Sequence, residues 1–303
     1  MKRFLTHLVP ALAATLSLTA CGGDPLATTP GQGSSGGSVV VGSANFPESN
    51  LLAEIYAQAL RAKGVSATTK LNIGSREVSM AALKDGSIDM LPEYNGALLN
   101  YFTGGDATQT TTSEINTALK KALPKGLTVL DASEAQDKDG FAVTKETAKK
   151  YGLSSLADLK QANGKLVLGG ASELRTRFVG IKGLKQVYGL DFKQYKPLDA
   201  AGPLTVAALK DGAIDVANLY TTQSTIKQNG FVVLDDPKHL VAAENVLPVA
   251  RKSKMSPDVK SRLNAVSAEL TTKDLAALVK QVEIDKSLPR TVAKSYISEH
   301  GLD

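Results

Sequence analysis

Two tyrosines, Tyr94 and Tyr220, are the side chains best placed to do chemistry, because each closes one copy of a repeated segment. Ala81-Ala-Leu-Lys-Asp-Gly-Ser-Ile-Asp-Met-Leu-Pro-Glu-Tyr94 and Ala207-Ala-Leu-Lys-Asp-Gly-Ala-Ile-Asp-Val-Ala-Asn-Leu-Tyr220 agree at nine of fourteen positions, at a constant offset of 126. The chemistry on offer is recognition. His7, His239 and His300 are scattered, with no ligand spacing and no serine or carboxylate partner in sequence, and an isolated Glu93 or Asp139 makes no acid–base pair. A single cysteine forms neither an internal disulfide nor a cysteine zinc cluster. No metal, cofactor or catalytic centre is expected.

The elements around the tyrosines explain how they would be positioned. Each copy reads as a helix end, a glycine suited to a left-handed stop, a short strand from Ile-Asp, and a tyrosine where the strand ends. Upstream, the β-branched run Val39-Val40-Val41 precedes a helical stretch from Leu51 to Lys63, and strands continue to alternate with helices, as in an α/β fold. Open α/β sheets bind ligands beyond the carboxyl ends of their strands, so in two facing lobes the tyrosines meet across a cleft. The alternative leaves both rings in the lobe cores. A third strand-like run, Lys165-Leu-Val-Leu-Gly-Gly-Ala-Ser172, leads through Arg177 into an apolar-periodic stretch ending at Tyr188. A glycine turn opening a helix is an anion seat, and a cation in that first turn opposes the helix dipole. Arg177 therefore serves a ligand or a carboxylate partner, or is simply solvated.

With 303 residues, 43% apolar and 21% charged, the chain has the balance of a globular protein with room for two lobes. Its net charge of +5, which includes Lys2 and Arg3, is too small to argue for nucleic acid. Residues 1–20 read as a secretory signal: a basic head, then an apolar run from Leu8 to Ala20. At about 1.5 Å per residue that run covers roughly 20 Å, short of the roughly 30 Å hydrocarbon core. Residues 21–37 are rich in Gly, Ser, Thr and Pro and read as a flexible tether. Within it, Gly31-Gln-Gly33-Ser-Ser-Gly36 and Gly33-Ser-Ser35-Gly-Gly37 fit dinucleotide and nucleophile-elbow patterns, but lack the strand and helix those motifs require.

Two resemblances complete the reading. Leu18-Thr19-Ala20-Cys21 resembles a bacterial lipobox, which implies cleavage before Cys21 and a diacylglycerol anchor on its sulfur. From about Ser38 onward, the segments VVVGSANFPESNLLAEIYAQAL, LNIGSREV, ALKDGSIDMLPEYNGALL, DKDGFAVTKETAKKYGLSSLADL and NVLPVARK resemble the glycine betaine/choline/carnitine substrate-binding proteins of osmoprotectant ABC importers. The similarity is greatest to the OsmF/YehZ-like branch of the OpuAC/ProX family. The resemblance implies a type II periplasmic-binding-protein fold with two crossing segments, acting as a monomer that delivers a small solute to a permease and its ATPase. The expected lobes are 38–142 with 235–303, and 143–234.

What the resemblance implies for the site follows from the solute. A methylated ammonium donates no conventional hydrogen bond and is attracted to aromatic faces, while a betaine carboxylate needs an arginine, backbone N–H groups or a helix N-terminus. Tyr94 matches the tyrosine of the family's PEYTG segment, Tyr220 that of an AYSTD-like segment with Thr221 beside it, and Arg177 the arginine before a DGLPGL-like segment. Asn45 and Phe46 match the first-strand exit and Ser75 the next strand's turn. Asp139 stands where many relatives carry a cage tyrosine, Val206 replaces another, and Val179-Gly-Ile-Lys replaces the acidic segment. Tyr195 is a further candidate ring, whereas Tyr188, on an apolar face, reads as core. The solute class expected is a quaternary-ammonium compatible solute, with another cationic or zwitterionic solute such as an amino acid as the alternative. An extracytoplasmic enzyme and an adaptor lipoprotein are the competing classes.

Overall fold

The computed structural model describes residues 38–303; the signal, Cys21 and the tether lie outside the described residues. In chain order the strands are β1 (Val39–Gly42), β2 (Ala67–Lys70), β3 (Met90–Tyr94), β4 (Leu127–Val129), β5 (Asp139–Val143), β6 (Val167–Ala171), β7 (Gln194–Leu198), β8 (Val216–Tyr220), β9 (Val232–Val233) and β10 (Val246–Arg251). They form two five-stranded sheets, ordered β2-β1-β3-β10-β4 and β7-β6-β8-β5-β9. The two orders are one pattern used twice. In each, the first strand lies between two parallel partners, and a strand arriving from the other sheet runs antiparallel beside the third. Because β5 pairs with β8, residues 139–142, expected at the end of the first lobe, belong to the second sheet.

The repeated segment explains this likeness at the level of single residues. Leu83 and Leu209, and Ile88 and Ile214, are all buried in their own lobes. Asp89 Oδ2 accepts from the Val40 amide at 2.9 Å, and Asp215 Oδ2 accepts from the Val167 amide at 2.8 Å. The backbone answers in both places, Asp89 N donating to Val40 O at 2.8 Å and Asp215 N to Val167 O at 2.9 Å. Each Asp thus pins the entry of its strand beside the lobe's first strand, a local register lock. The glycine three residues before it, in the helix-stop role, is left-handed in both copies, Gly86 at φ 87° and Gly212 at φ 71°.

Three helices position the first half of the site. The first, α1 (Pro47–Ala62), begins before the expected Leu51 because Pro47 at its first turn has the required φ and lacks only an amide the helix would leave unpaired. It is buried almost throughout, between sheet one and the C-terminal helices Pro257–Glu269, Thr272–Glu283 and Pro289–Glu299. Tyr56 on α1 meets Ser267 through their hydroxyls at 3.1 Å. α2 (Arg76–Asp85) leads into β3, and α3 (Asn95–Thr103) leaves it directly after Tyr94. Alternation along β1 feeds two cores, Val39 and Val41 facing the α1 side and Val40 the opposite one. Each fully buried Leu or Ile there contributes roughly 1.5–3 kcal/mol. Among the described residues no helix is long and apolar enough to cross a membrane.

The continuous helix expected after Arg177 does not form. The chain makes a short turn over Ser172–Arg175, a kinked turn over Phe178–Lys182, and only then a helix over Gly183–Tyr188. Gly180 is the cause: it lies so close to the Leu174 carbonyl that a Cβ there would sit 1.8 Å from that oxygen. Arg177 is followed only by the five-residue turn that Gly180 breaks at φ −91° and ψ −141°, so the helix-terminus anion seat is not built. Tyr188 is core as expected, 1% exposed, with its hydroxyl donating to Asp236.

Candidate functional site

A cavity of about 220 Å³ lies between the sheets, at the carboxyl ends of β1, β3, β6, β7 and β8. Phe46, the residue that caps α1, is the centre of its aromatic wall. Its ring centroid is 6.4 Å from that of Tyr94 and 5.2 Å from that of Tyr220, so one lobe-one ring bridges the two repeat tyrosines. Asn45, Ser75, Asp139 and Arg177 also line the cavity. Seven of the nine expected ligand residues therefore converge.

The other two do not. Tyr195 sits opposite Leu168 in the register, three residues short of Leu198 at the strand's carboxyl end; its hydroxyl donates to Ala171 O, and Arg175 lies over its ring at 5.4 Å. Thr221 accepts from the Lys138 amide at 2.9 Å and donates to Asp137 Oδ1 at 3.3 Å, tying β8 to a crossing segment instead of facing the cavity.

The tyrosines differ in their surroundings. Tyr94 is 7% exposed and its hydroxyl donates to Glu48 Oε1 at 2.5 Å, while Glu48 Oε2 accepts from Thr222 at 2.6 Å. Burial, reinforced by the Glu48 and Asp137 charges, pushes the Tyr94 phenol well above its usual range. Burial likewise lifts Glu48 to about 7, and burial together with the Glu48 charge pushes Asp137 upward. Tyr220 is half-buried, and its phenol is raised first by burial and then by Asp139.

Arg177 is already partnered. Its Nε and Nη2 donate to Glu77 Oε1 and Oε2 at 3.1 and 2.9 Å, joining the second lobe to α2 of the first. Ser75 Oγ donates to the same carboxylate at 2.6 Å. Partial burial works against ionisation of Glu77, but the hydrogen bonds from Arg177 and Ser75 and the Arg177 charge bring it down to about 2.

Sequence reasoning missed a second arginine. Arg76 clasps Glu93 through three contacts of 2.9 to 3.0 Å, and both side chains line the cavity. Their signal was present in LNIGSREV and PEY, but the loop from α2 back to β3 hides a partnership between residues seventeen apart. Glu244, just before β10, was also missed. Its carboxyl is pushed well above the usual range, first by burial and then by Asp139. With Glu93, Asp137, Asp139, Glu173, Asp199 and Glu244 facing Arg76 and Arg177, six carboxyl groups outnumber two guanidiniums. Asp139 accepts a single bond, from Asn218 at 2.9 Å, and Glu173 a single one, from Ser172 at 3.2 Å, whereas Glu93 is held by Arg76 and Asp199 by Thr205 and the Leu204 amide.

Two lobes of one pattern, with an aromatic and acidic cavity at their junction, define a type II two-lobed solute-binding protein. A solved structure titled a glycine betaine/carnitine/choline ABC transporter superposes with a TM-score of 0.68 at 25% identity, over 87% of this chain and 99% of the other. Residues 37–299 match the substrate-binding domain of ABC-type glycine betaine transport systems, and the chain belongs to that family, the extracytoplasmic solute-binding components of ABC importers. A glycine betaine-binding protein of Escherichia coli, YehZ, is 28% identical over 276 residues, covering 87% of this chain and 90% of the relative. A glycine-betaine-binding protein of Pseudomonas aeruginosa is 26% identical over 273 residues, covering 86% and 88%.

Proposed function

We propose that this chain captures a solute bearing a methylated ammonium group in the inter-lobe cavity and presents it to a permease driven by a cytoplasmic ATPase. The observation that carries this reading is the convergence of Phe46, Tyr94 and Tyr220 on one wall, with rings drawn from both lobes. Ring faces attract a methylated cation and keep water from it, and Asp139, bonded only to Asn218, offers a carboxylate beside them. Asn45 and Ser75 supply polar groups at the rim. For a solute that also carries a carboxylate, Arg177 is the anion partner, and the carboxylate competes with Glu77 for it. In this reading Cys21 carries the lipid that holds the protein at the membrane, where several acyl chains bind firmly and one does so only marginally.

A second reading has a specific observation behind it. Asp139 and Glu244 suit the N–H donors of a primary ammonium better than a methylated one, which favours an amino acid or similar cation. Calorimetry and thermal shift with choline, glycine betaine, carnitine, lysine and arginine separate the two, because a ligand selective for the folded state raises its melting temperature. Binding of the methylated solutes, weakened in Tyr220→Ala, supports the cage; binding of lysine or arginine alone, indifferent to Tyr220→Ala, overturns it.

A further inference from the structure

A second cavity of about 180 Å³ adjoins the first, and Arg76, Asp139, Arg177 and Glu244 line both. These four side chains are thus the partition between two chambers. Beyond them the walls change character: Tyr101 and Ala97 come from α3, Phe178 and Val179 from the kinked turn after Arg177, and Leu240 and Val241 from the segment returning to the first lobe. Gly105 makes the closure possible, since a Cβ at that position would stand 2.8 Å from Phe178 Cβ. Asn100 also lines the chamber, from α3.

We propose that the second chamber is a subsite for an arm of the solute, so that this protein's ligand is a methylated ammonium extended by an apolar or aromatic group of a few heavy atoms. The inference rests on the cage reading of the first cavity and deepens it. A head group held by Phe46 and Tyr220 places its substituent toward the shared residues, and an arm passing them exchanges water for the apolar walls. The size of the head is read by the first chamber and the length of the arm by the second.

Calorimetry with tetramethylammonium, butyltrimethylammonium and benzyltrimethylammonium tests this directly, in the natural chain and in Val179→Phe, which fills the second chamber. The expected result is about tenfold tighter binding of the two armed cations than of tetramethylammonium, a gain set by the apolar area buried. Val179→Phe removes that gain and leaves tetramethylammonium binding within about twofold. Tyr101→Ala, at the opposite wall, reduces the gain without Val179 being touched, which guards against a folding defect in the filled variant. Equal affinity for all three cations, or a gain that survives both variants, overturns the second subsite while leaving the cage standing. Failure of tetramethylammonium itself to bind, with Tyr220→Ala silent for every probe, removes the cage and the subsite together.

Discussion

Tyr94 and Tyr220 end equivalent strands of equivalent sheets, yet the first is packed into its lobe with its hydroxyl fixed on Glu48, and the second stands half-buried over the cavity. Asp89 and Asp215 part company in the same way. Both hold a neighbouring strand's amide, but Asp89 also faces Arg251 and Lys254 at 3.3 Å, while Asp215 has no ion-pair partner among the described residues. The shared residues maintain the common architecture, and the first lobe has added ionic and hydrogen-bonded ties around them. That lobe also carries the C-terminal helices against α1, and the second presents the more accessible ring.

The largest contrast is expected at the two aspartates. Asp89→Ala leaves Arg251 and Lys254 unpaired beside a freed amide and destabilises by about 3 kcal/mol, whereas Asp215→Ala loses one hydrogen bond and costs about 1 kcal/mol. Urea denaturation of the two variants measures the difference, and equal losses would erase the asymmetry.

Next come the phenols. Tyr94→Phe strips Glu48 of a donor and costs about 1–3 kcal/mol of folding stability, while Tyr220→Phe is expected to be close to neutral. The same acid gives the first lobe a pH signature. Glu48, raised from 4.5 to about 7 by burial, holds its proton more tightly when folded, so its contribution is fully present below pH 4.5 and is lost as pH rises through about 7. Glu48→Gln therefore flattens the decline in stability across that window, seen as a melting temperature that varies less with pH.

On affinity, Tyr220→Ala weakens a methylated cation by about 0.5–2 kcal/mol, read by calorimetry. The smallest effect belongs to the pair joining the lobes: Glu77→Gln changes stability by about 0–1 kcal/mol, because both partners are partly solvated. Its sharper readout is selectivity, since freeing Arg177 improves binding of glycine betaine relative to choline.

The repeat made the doubled sheet and the tyrosine pair legible in advance, because strand ends and helix stops are written in local residue types. Arg177 was legible as a cavity residue and illegible as to setting: the apolar period after it suggested one helix, and only the close approach of Gly180 to Leu174 shows why the chain cannot make it. Tyr195 looked like a cage ring by type, but its place depends on strand register, which puts it three residues short of Leu198 at the rim. Arg76 with Glu93, and Glu48 with Tyr94 and Thr222, were hidden because their partners come together only through tertiary packing.

The two crossing segments run side by side and are bonded to each other, with Gln136 opposite Asn245, Asp137 N donating to Glu244 O at 3.1 Å, and Val246 N donating to Ala135 O at 2.9 Å. Strips laced together in this way move together, so turning one lobe against the other has to bend both crossings at once. For a carrier that closes on its cargo, the two crossings would then form one shared hinge instead of two independent threads.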